Sequence, residues 1–185
     1  MTNFTKLILA TLVAFMQIFT TQAQDLVLQG IIDFTTPSGG NTGKAIHVKA
    51  INAIPDLSVY GIGVANNGGG TDGEEYNFDA IAVSAGDDIL VARDIAVMTA
   101  YFDACATEFE HVLQANNDIS QNGDDAIELY LNGTVIETFG DIDTDGTGEA
   151  WEYMDSWAYR TGIGSVAPPQ PTLISECGDF DAGPN

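Results

Sequence analysis

The sequence predicts an all-β domain, a β-sandwich with one short helix. Roughly eight or nine short segments alternate apolar and polar residues and are separated by turn-forming residues, as in two-layered β proteins. The clearest two flank Asn132-Gly133, the dipeptide best suited to a type I′ hairpin turn. Only the segment from Asp94 to Asp103 has helical spacing, and Asp94 is placed to cap its start.

Residues 1–24 are expected to be a signal peptide that is removed on secretion. Lys6 precedes the apolar run from Leu7 to Phe19, and the small residues of Thr21-Gln22-Ala23 suit cleavage. The alternative, a buried N-terminal helix or a retained anchor, is disfavoured because the run is short and no stop-transfer pattern follows. We therefore expect a secreted protein, extracellular or at the cell surface rather than periplasmic, with no membrane span in the mature chain.

The mature chain is strongly acidic. The sequence has 5 Lys and Arg against 27 Asp and Glu, so loss of Lys6 leaves 4 minus 27, or −23 formal charges. This charge repels a phosphate backbone, and no Lys/Arg cluster offsets it, so direct nucleic-acid binding is not expected. Self-repulsion destabilises a compact state unless salt screens it or cations bind. A saline habitat, bound divalent metal, or both are implied.

The first strand is predicted at Asp25 to Asp33, with Val27 and Ile31 on one side and Gly30 at a bulge. A turn-rich loop follows.

The second strand is predicted at Lys44 to Asn52, with Ile46 and Val48 on one face and His47 and Lys49 on the other. Local sequence places no carboxylate or nucleophile beside His47. We therefore expect His47 to face solvent rather than to act as a ligand or base.

The glycine-rich segment from Asn66 to Gly73 is expected to be a loop. It lacks the Lys-Ser/Thr ending and the following helix of a phosphate-binding loop. Two interpretations remain: a flexible loop between strands, which is favoured, or a loop whose Asp72, Glu74 and Glu75 face a metal. Further strands are predicted at Ser58 to Val64, Tyr76 to Ile81, Asp87 to Arg93 and Phe109 to Ala115. His111 in the last of these is expected to be partly buried.

The hairpin is predicted from Ala126 to Leu131 and from Thr134 to Phe139. Ile127, Leu129 and Leu131 share one face, with Glu128 and Tyr130 on the other, the pattern of a half-buried strand.

An acidic loop after the hairpin fits the calcium-loop pattern D-x-[DN]-x-[DN]-G-x5-E. Its expected ligands are three Asp carboxylates, one backbone carbonyl, one direct or water-mediated Glu and one bidentate Glu. In that order they are Asp141, Asp143, Asp145, Thr147, Glu149 and Glu152. Gly146 is expected to make the sharp turn. A solvated acidic turn is the alternative, because a strand precedes the loop instead of the entering helix of an EF-hand.

The two cysteines, Cys105 and Cys177, are expected to form one disulfide in an exported chain. Two unrelated buried thiols are the alternative. The segment from Pro168 to Pro171 argues against continued regular structure. We therefore place the domain at residues 25–165 and a tail at 166–185, docked by the disulfide.

Several motifs together resemble bacterial lamin-tail-type domains, similar to those of marine Bacteroidota. They are Lys44-Ala45-Ile46, the segment from Leu57 to Gly61, the NNGGGTDGEE loop, Gly86-Asp87, and NGDDAIELYLNG followed by TVIETFGDI. The resemblance extends over roughly Leu28 to Arg160. It implies an immunoglobulin-like β-sandwich in a secreted or surface protein, often beside nuclease or phosphatase domains. His47 departs from it, because relatives commonly place an acid there.

The leading functional hypothesis is a non-enzymatic secreted module that binds an extracellular protein or polymer, or has a structural role, with calcium as a stabiliser. The alternative is an accessory component of an extracellular nuclease or phosphate-scavenging system encoded separately. A hydrolase with paired carboxylates, Asp124-Asp125 or Asp87-Asp88, is disfavoured because adjacent strand residues point to opposite faces.

Overall fold

The computed structural model of the protein describes residues 24–34, 41–162 and 165–170. Their strands form two sheets, accompanied by one short α-helix, α1, at Ile95–Phe102. The strands are β1 Leu26–Phe34, β2 Gly43–Ala50, β3 Tyr60–Ala65, β4 Tyr76–Asn77, β5 Asp88–Ala92, β6 His111–Gln114, β7 Ala126–Leu131, β8 Thr134–Phe139, β9 Ser156–Gly162 and β10 Ser165–Gln170. The predicted all-β class is confirmed.

The larger sheet has the strand order β10-β9-β1-β2-β5-β6, and the smaller has β4-β3-β7-β8. Neighbouring strands are antiparallel, except that β5 and β6 are parallel. A parallel pair needs a crossover connection. The chain supplies it with α1, which lies between β5 and β6 in sequence.

The two sheets share one apolar core, which is consistent with the predicted β-sandwich. Ile46 and Val48 of β2 and Ile127 and Leu129 of β7 are all 0% exposed members of this core. Burying each such side chain contributes roughly 1.5–3 kcal/mol. The core-facing sides predicted for these two strands are therefore confirmed.

A bulge interrupts β1 beside Gly30, as predicted. Leu28 and Gly30 pair with successive residues of β2, so Gln29 is the extra residue. An extra residue moves the following side chains to the opposite face. The prediction that Val27 and Ile31 share a face is therefore wrong, and Ile31 joins Leu28 in the core.

The outer face of the larger sheet is also covered, by α1 and the 3₁₀ segment Asp103–Glu108. Asp94 caps α1 as predicted, because its carboxylate accepts a hydrogen bond from the Val97 amide at 3.1 Å. Met98 and Phe102 lie one turn apart and are buried. They form a second apolar cluster with residues that include Ile32, Phe34, Leu90 and Trp157.

This second cluster changes the environment of His47. The prediction of a solvent-facing His47 is wrong, because its side chain is 3% exposed. Periodicity along β2 distinguishes the two faces of the strand. It does not reveal that a crossover helix buries the second one.

The predicted β7–β8 hairpin is confirmed. Asn132 and Gly133 have φ angles of 51° and 73°, as a type I′ turn requires. The second face of β7 is also buried, since Glu128 and Tyr130 are 3% and 4% exposed. The strand is therefore more buried than its predicted half-buried pattern indicates.

Other predicted boundaries shift. The strand predicted at Ser58 begins only at Tyr60, because Leu57–Val59 form a 3₁₀ turn capped by Asp56. The strand predicted from Tyr76 contains two residues instead of six.

The chain forms two strands, β9 and β10, where none was predicted. The prediction of irregular structure from Pro168 onward is wrong as far as Gln170, since β10 runs through both prolines. β10 is an edge strand of the larger sheet, where proline is tolerated because one side makes no ladder bonds. The predicted signal peptide, apart from Gln24, and the tail after Gln170 lie outside the described residues.

A charged pair links the two sheets beside the bulge. Glu137 of β8 accepts hydrogen bonds from the Leu28 amide at 2.9 Å and from the Gln24 amide group at 2.8 Å. Arg160 of β9 pairs with Glu137 and donates to the Leu28 carbonyl at 2.6 Å. Burial lowers the pKa of Arg160 from its ordinary value.

Within the part of the chain that the structure describes, no helix has the length and apolar character needed to cross a membrane.

Candidate functional site

Three loops meet at one end of the smaller sheet, around the segment 122–125. The end of β3 pairs with the start of β7, which also pairs with the end of β8, so the loops that adjoin these strands are neighbours. We call this segment the NGDD hub. The segment belongs to the motifs that resemble lamin-tail-type domains, but its contacts with the neighbouring loops were not predicted from the sequence.

Asp125 is the centre of the hub. Its side chain accepts hydrogen bonds from the backbone amides of Asn67 at 2.8 Å and Asn122 at 3.0 Å. Asp125 is 0% exposed. Burial raises its pKa above the ordinary value even though both hydrogen bonds act in the opposite direction. The carboxylate thus holds the glycine-rich loop against the hub.

Gly123 and Tyr153 fix the hub from the other side. The Tyr153 amide donates to the Gly123 carbonyl at 2.7 Å, and its hydroxyl donates to the Asp125 carbonyl at 3.0 Å. Gly123 has a φ of +100°, and a Cβ atom there would lie 2.3 Å from the Met154 Cα. Tyr153 is fully buried, and this burial raises its pKa well above the ordinary value.

Asp124 connects the hub to the acidic loop. Its carbonyl accepts from the Gly146 amide at 2.9 Å, and its carboxylate accepts from the Thr147 hydroxyl at 2.9 Å. Two consecutive aspartates thus hold two different loops. The two adjacent carboxylates therefore fix the positions of the glycine-rich loop and the acidic loop.

The predicted calcium ligands in the acidic loop largely cap its own backbone. Asp141 accepts from the Asp143 amide at 3.0 Å, and Asp145 accepts from the Thr147 amide at 2.9 Å. Glu152 accepts from the Gly148 amide at 2.9 Å. The hydrogen bonds from Thr147 lower the pKa of Asp145. These contacts are those of an ordered acidic turn.

Gly146 is needed because the acidic loop packs closely against the hub at this position. Its backbone is outside the left-handed region, whereas Gly148 has a φ of +81°. A Cβ atom at Gly146 would lie 2.5 Å from the Trp151 ring and 2.7 Å from the Asp124 carbonyl oxygen. Gly146 therefore permits close packing on the hub. Its carbonyl also accepts a hydrogen bond from the Glu149 amide at 2.9 Å, which closes a turn that begins at Gly146.

The loop has oxygen donors of the kind that calcium prefers. Asp143 and Glu149 are exposed, and their carboxylates accept no hydrogen bond from the described residues. Across residues 24–34 and 41–160, however, no three or more His, Cys, Asp or Glu side chains are grouped as a metal site would require. Calcium binding therefore stays a prediction.

The glycine-rich loop packs on β3. A Cβ atom at Gly61 would lie 2.0 Å from the Glu74 carboxylate, and one at Gly63 would lie 2.4 Å from the Gly73 carbonyl oxygen. Glu75 accepts from the Val64 amide at 2.9 Å. Burial and neighbouring carboxylates, opposed by this hydrogen bond, raise the pKa of Glu75.

The same loop covers the second face of β7. The Tyr130 hydroxyl donates to Glu128 at 2.9 Å and lies 2.8 Å from the Thr71 hydroxyl. These contacts place the glycine-rich loop beside both buried β7 side chains. Asp72, the third acid considered as metal-facing, is exposed.

His47 has a partner that local sequence did not reveal. Its Nε2 lies 2.7 Å from Asp88 Oδ1 on β5, and Lys49 lies 3.3 Å from the same carboxylate. Burial alone would raise the pKa of Asp88, but the hydrogen bond and charge of His47, with Lys49, hold it below its ordinary value. The His47 ring also makes an edge contact with Phe109, at 5.2 Å between centroids.

A small cavity lies beside His47 under α1. It has a volume of about 20 Å³, room for roughly one water molecule. Five aromatic side chains contribute to its lining, namely Phe34, Phe102, Phe109, Trp157 and Tyr159.

His111 is partly buried, as predicted, and it also has a partner. Its Nε2 lies 3.2 Å from Asp87. Asp87 and Asp88 thus bind different histidines. Both pairings depend on β5 lying between β2 and β6, which sequence alone did not establish.

Cys105 lies in the 3₁₀ segment after α1 and is disulfide-bonded. Its predicted partner, Cys177, lies outside the described residues, so this pairing stays a prediction.

Comparisons with protein-family models, curated proteins and solved structures gave no match for this chain.

Proposed function

We propose that this protein is a non-enzymatic secreted module that binds an extracellular protein or polymer, or has a structural role, and that calcium stabilises it. The proposal includes an immunoglobulin-like sandwich of the lamin-tail type. Its main support is the NGDD hub, where buried carboxylates hold the glycine-rich loop and the acidic loop. Loops fixed on a rigid sheet scaffold are the usual recognition surface of β-sandwich modules.

The charge of the chain supports a cation as part of the function. The acidic loop presents several exposed carboxylates in a protein of high negative charge. A cation bound there relieves repulsion that the hydrogen bonds of the loop leave in place. Extracellular calcium modules bind with dissociation constants of about 10⁻⁴–10⁻³ M, so millimolar calcium is the relevant range.

Calcium titration by calorimetry and thermal melting tests this proposal. Both are done at one high NaCl concentration, so that general screening does not resemble specific binding. Calcium at about 10 times its dissociation constant, which is in the millimolar range, should stabilise the fold by roughly 1.4 kcal/mol. Asp143→Asn should reduce the effect, because this exposed carboxylate accepts no hydrogen bond among the described residues.

Asp79→Asn is the matched control, since Asp79 is exposed and lies outside the acidic loop. It removes the same charge and should leave calcium binding unchanged. If calorimetry and melting show no calcium effect on the unmodified protein, the loop is an acidic turn only. Equal loss in both variants would indicate a diffuse charge effect instead of a site.

A further inference from the structure

Lys44 and Asp33 form a buried pair on adjacent strands. They are directly opposite each other in the β1–β2 ladder. Lys44 Nζ lies 2.6 Å from Asp33 Oδ1, and the two side chains are 5% and 7% exposed. Removing two charges from water costs free energy that their attraction offsets only in part. The two groups are thus held at hydrogen-bonding distance with little access to water.

The surroundings of Lys44 Nζ suit an amide nitrogen. Among the described residues it has two acceptors, Asp33 and the carbonyl of Gln121. An ammonium group has three N–H donors, whereas a secondary amide has one. An amide between the two side chains would keep a single N–H for the Gln121 carbonyl. It would also remove both buried charges.

We propose that Lys44 and Asp33 are joined by an intramolecular isopeptide bond. Nζ attacks Cγ of Asp33, so that an Nζ–Cγ bond forms and one Cγ–oxygen bond breaks. Two protons of the ammonium group pass to the departing oxygen, which leaves as water. The third stays on the amide nitrogen. The reaction needs no oxidant or further reactant, and the net charge of the chain does not change.

One feature of the fold favours this condensation. The paired strands hold the Lys44 nitrogen against the Asp33 carboxyl group. Such a fixed approach corresponds to effective molarities of about 10⁵–10⁸ M.

Mass spectrometry of the reduced, denatured protein tests the proposal. The expected mass is lower by one water molecule than the sequence mass, which is the mass calculated for the chain from its determined N-terminus. Trypsin should not cut after Lys44, and the loss should map to the peptide that contains Asp33 and Lys44. An intact mass equal to the sequence mass would overturn the proposal, as would cleavage after Lys44.

Two matched variants exclude other losses of water, such as succinimide formation at Asp72-Gly73 or Asp145-Gly146. Lys44→Arg keeps a positive charge beside Asp33 but should restore the sequence mass. Lys49→Arg, on the same strand, should keep the lower mass. A lower mass that persists in Lys44→Arg would rule out this lysine. If Lys44→Arg does not fold, the peptide map of the unmodified protein still decides the question.

Discussion

At the scale of single residues, carboxylates in this protein act mainly as hydrogen-bond acceptors that hold loops and neighbouring strands. Asp125 holds two backbone amides, and Asp88 holds His47. Removing one partner leaves the other buried and unsatisfied, which costs more than the hydrogen bond itself contributed. Substitutions of these aspartates are therefore expected to lower the free energy of unfolding by more than the contribution of one hydrogen bond.

The His47–Asp88 contact predicts a specific pH dependence. The pKa of Asp88 is lower in the folded chain than its ordinary value. Its contribution to stability is therefore present above about pH 4, the ordinary value, and is lost as the pH falls through the folded value. Asp88→Asn should cost about 1–2 kcal/mol near pH 6 and less on acidification. Urea unfolding at several pH values measures the cost of the substitution near pH 6 and its decrease on acidification.

Asp79→Asn is again the control, because Asp79 is exposed. A constant cost of Asp88→Asn from pH 6 to pH 3 would contradict the assigned role of the His47 contact.

At the scale of elements, positive-φ glycines set both the hairpin turn and the hub. Gly133 has a φ of +73°. A Cβ atom there would meet no described residue within 4 Å apart from its chain neighbours. Glycine is therefore required at this position only because of its backbone conformation. Gly123 has both a positive φ and the Met154 backbone against it. Identical substitutions at these two sites therefore separate backbone strain from steric overlap.

Gly133→Ala should lower the free energy of unfolding by about 1–2 kcal/mol, the cost of a left-handed backbone at alanine. Gly123→Ala should lower it by more than about 3 kcal/mol, because the Met154 backbone must also move. Urea unfolding followed by tryptophan fluorescence gives both values, and circular dichroism shows whether each variant folds. Equal losses would mean that the contact at Gly123 relaxes without cost.

At the scale of the whole molecule, the dominant feature is net negative charge. Screening by salt reduces repulsion among the exposed carboxylates. Buried apolar residues in two clusters provide the opposing stabilisation. The fold is thus expected to be more stable at high ionic strength.

The melting temperature should rise with NaCl, by roughly 2–4 °C for each kcal/mol of added stability. A double variant, Asp79→Asn with Glu108→Gln, removes two exposed charges and should show a smaller rise. Differential scanning calorimetry without divalent ions measures this effect separately from calcium binding. A melting temperature that is independent of salt would contradict a major role for charge repulsion.

The sequence by itself determined the features that depend on neighbouring residues. Alternation identified the core face of β2 and the hairpin, Asn132-Gly133 identified its turn, and Asp94 identified the start of α1. Each rests on backbone geometry or periodicity within a few residues. Local sequence was therefore sufficient.

Only the tertiary structure decided which residues from distant segments meet. His47 is buried because α1 crosses its face of the sheet, and Asp88 becomes its partner because β5 lies beside β2. The NGDD hub likewise forms from loops brought together by strand order. Strand order is set by how both sheets bury apolar surface collectively, and no single segment carries that information.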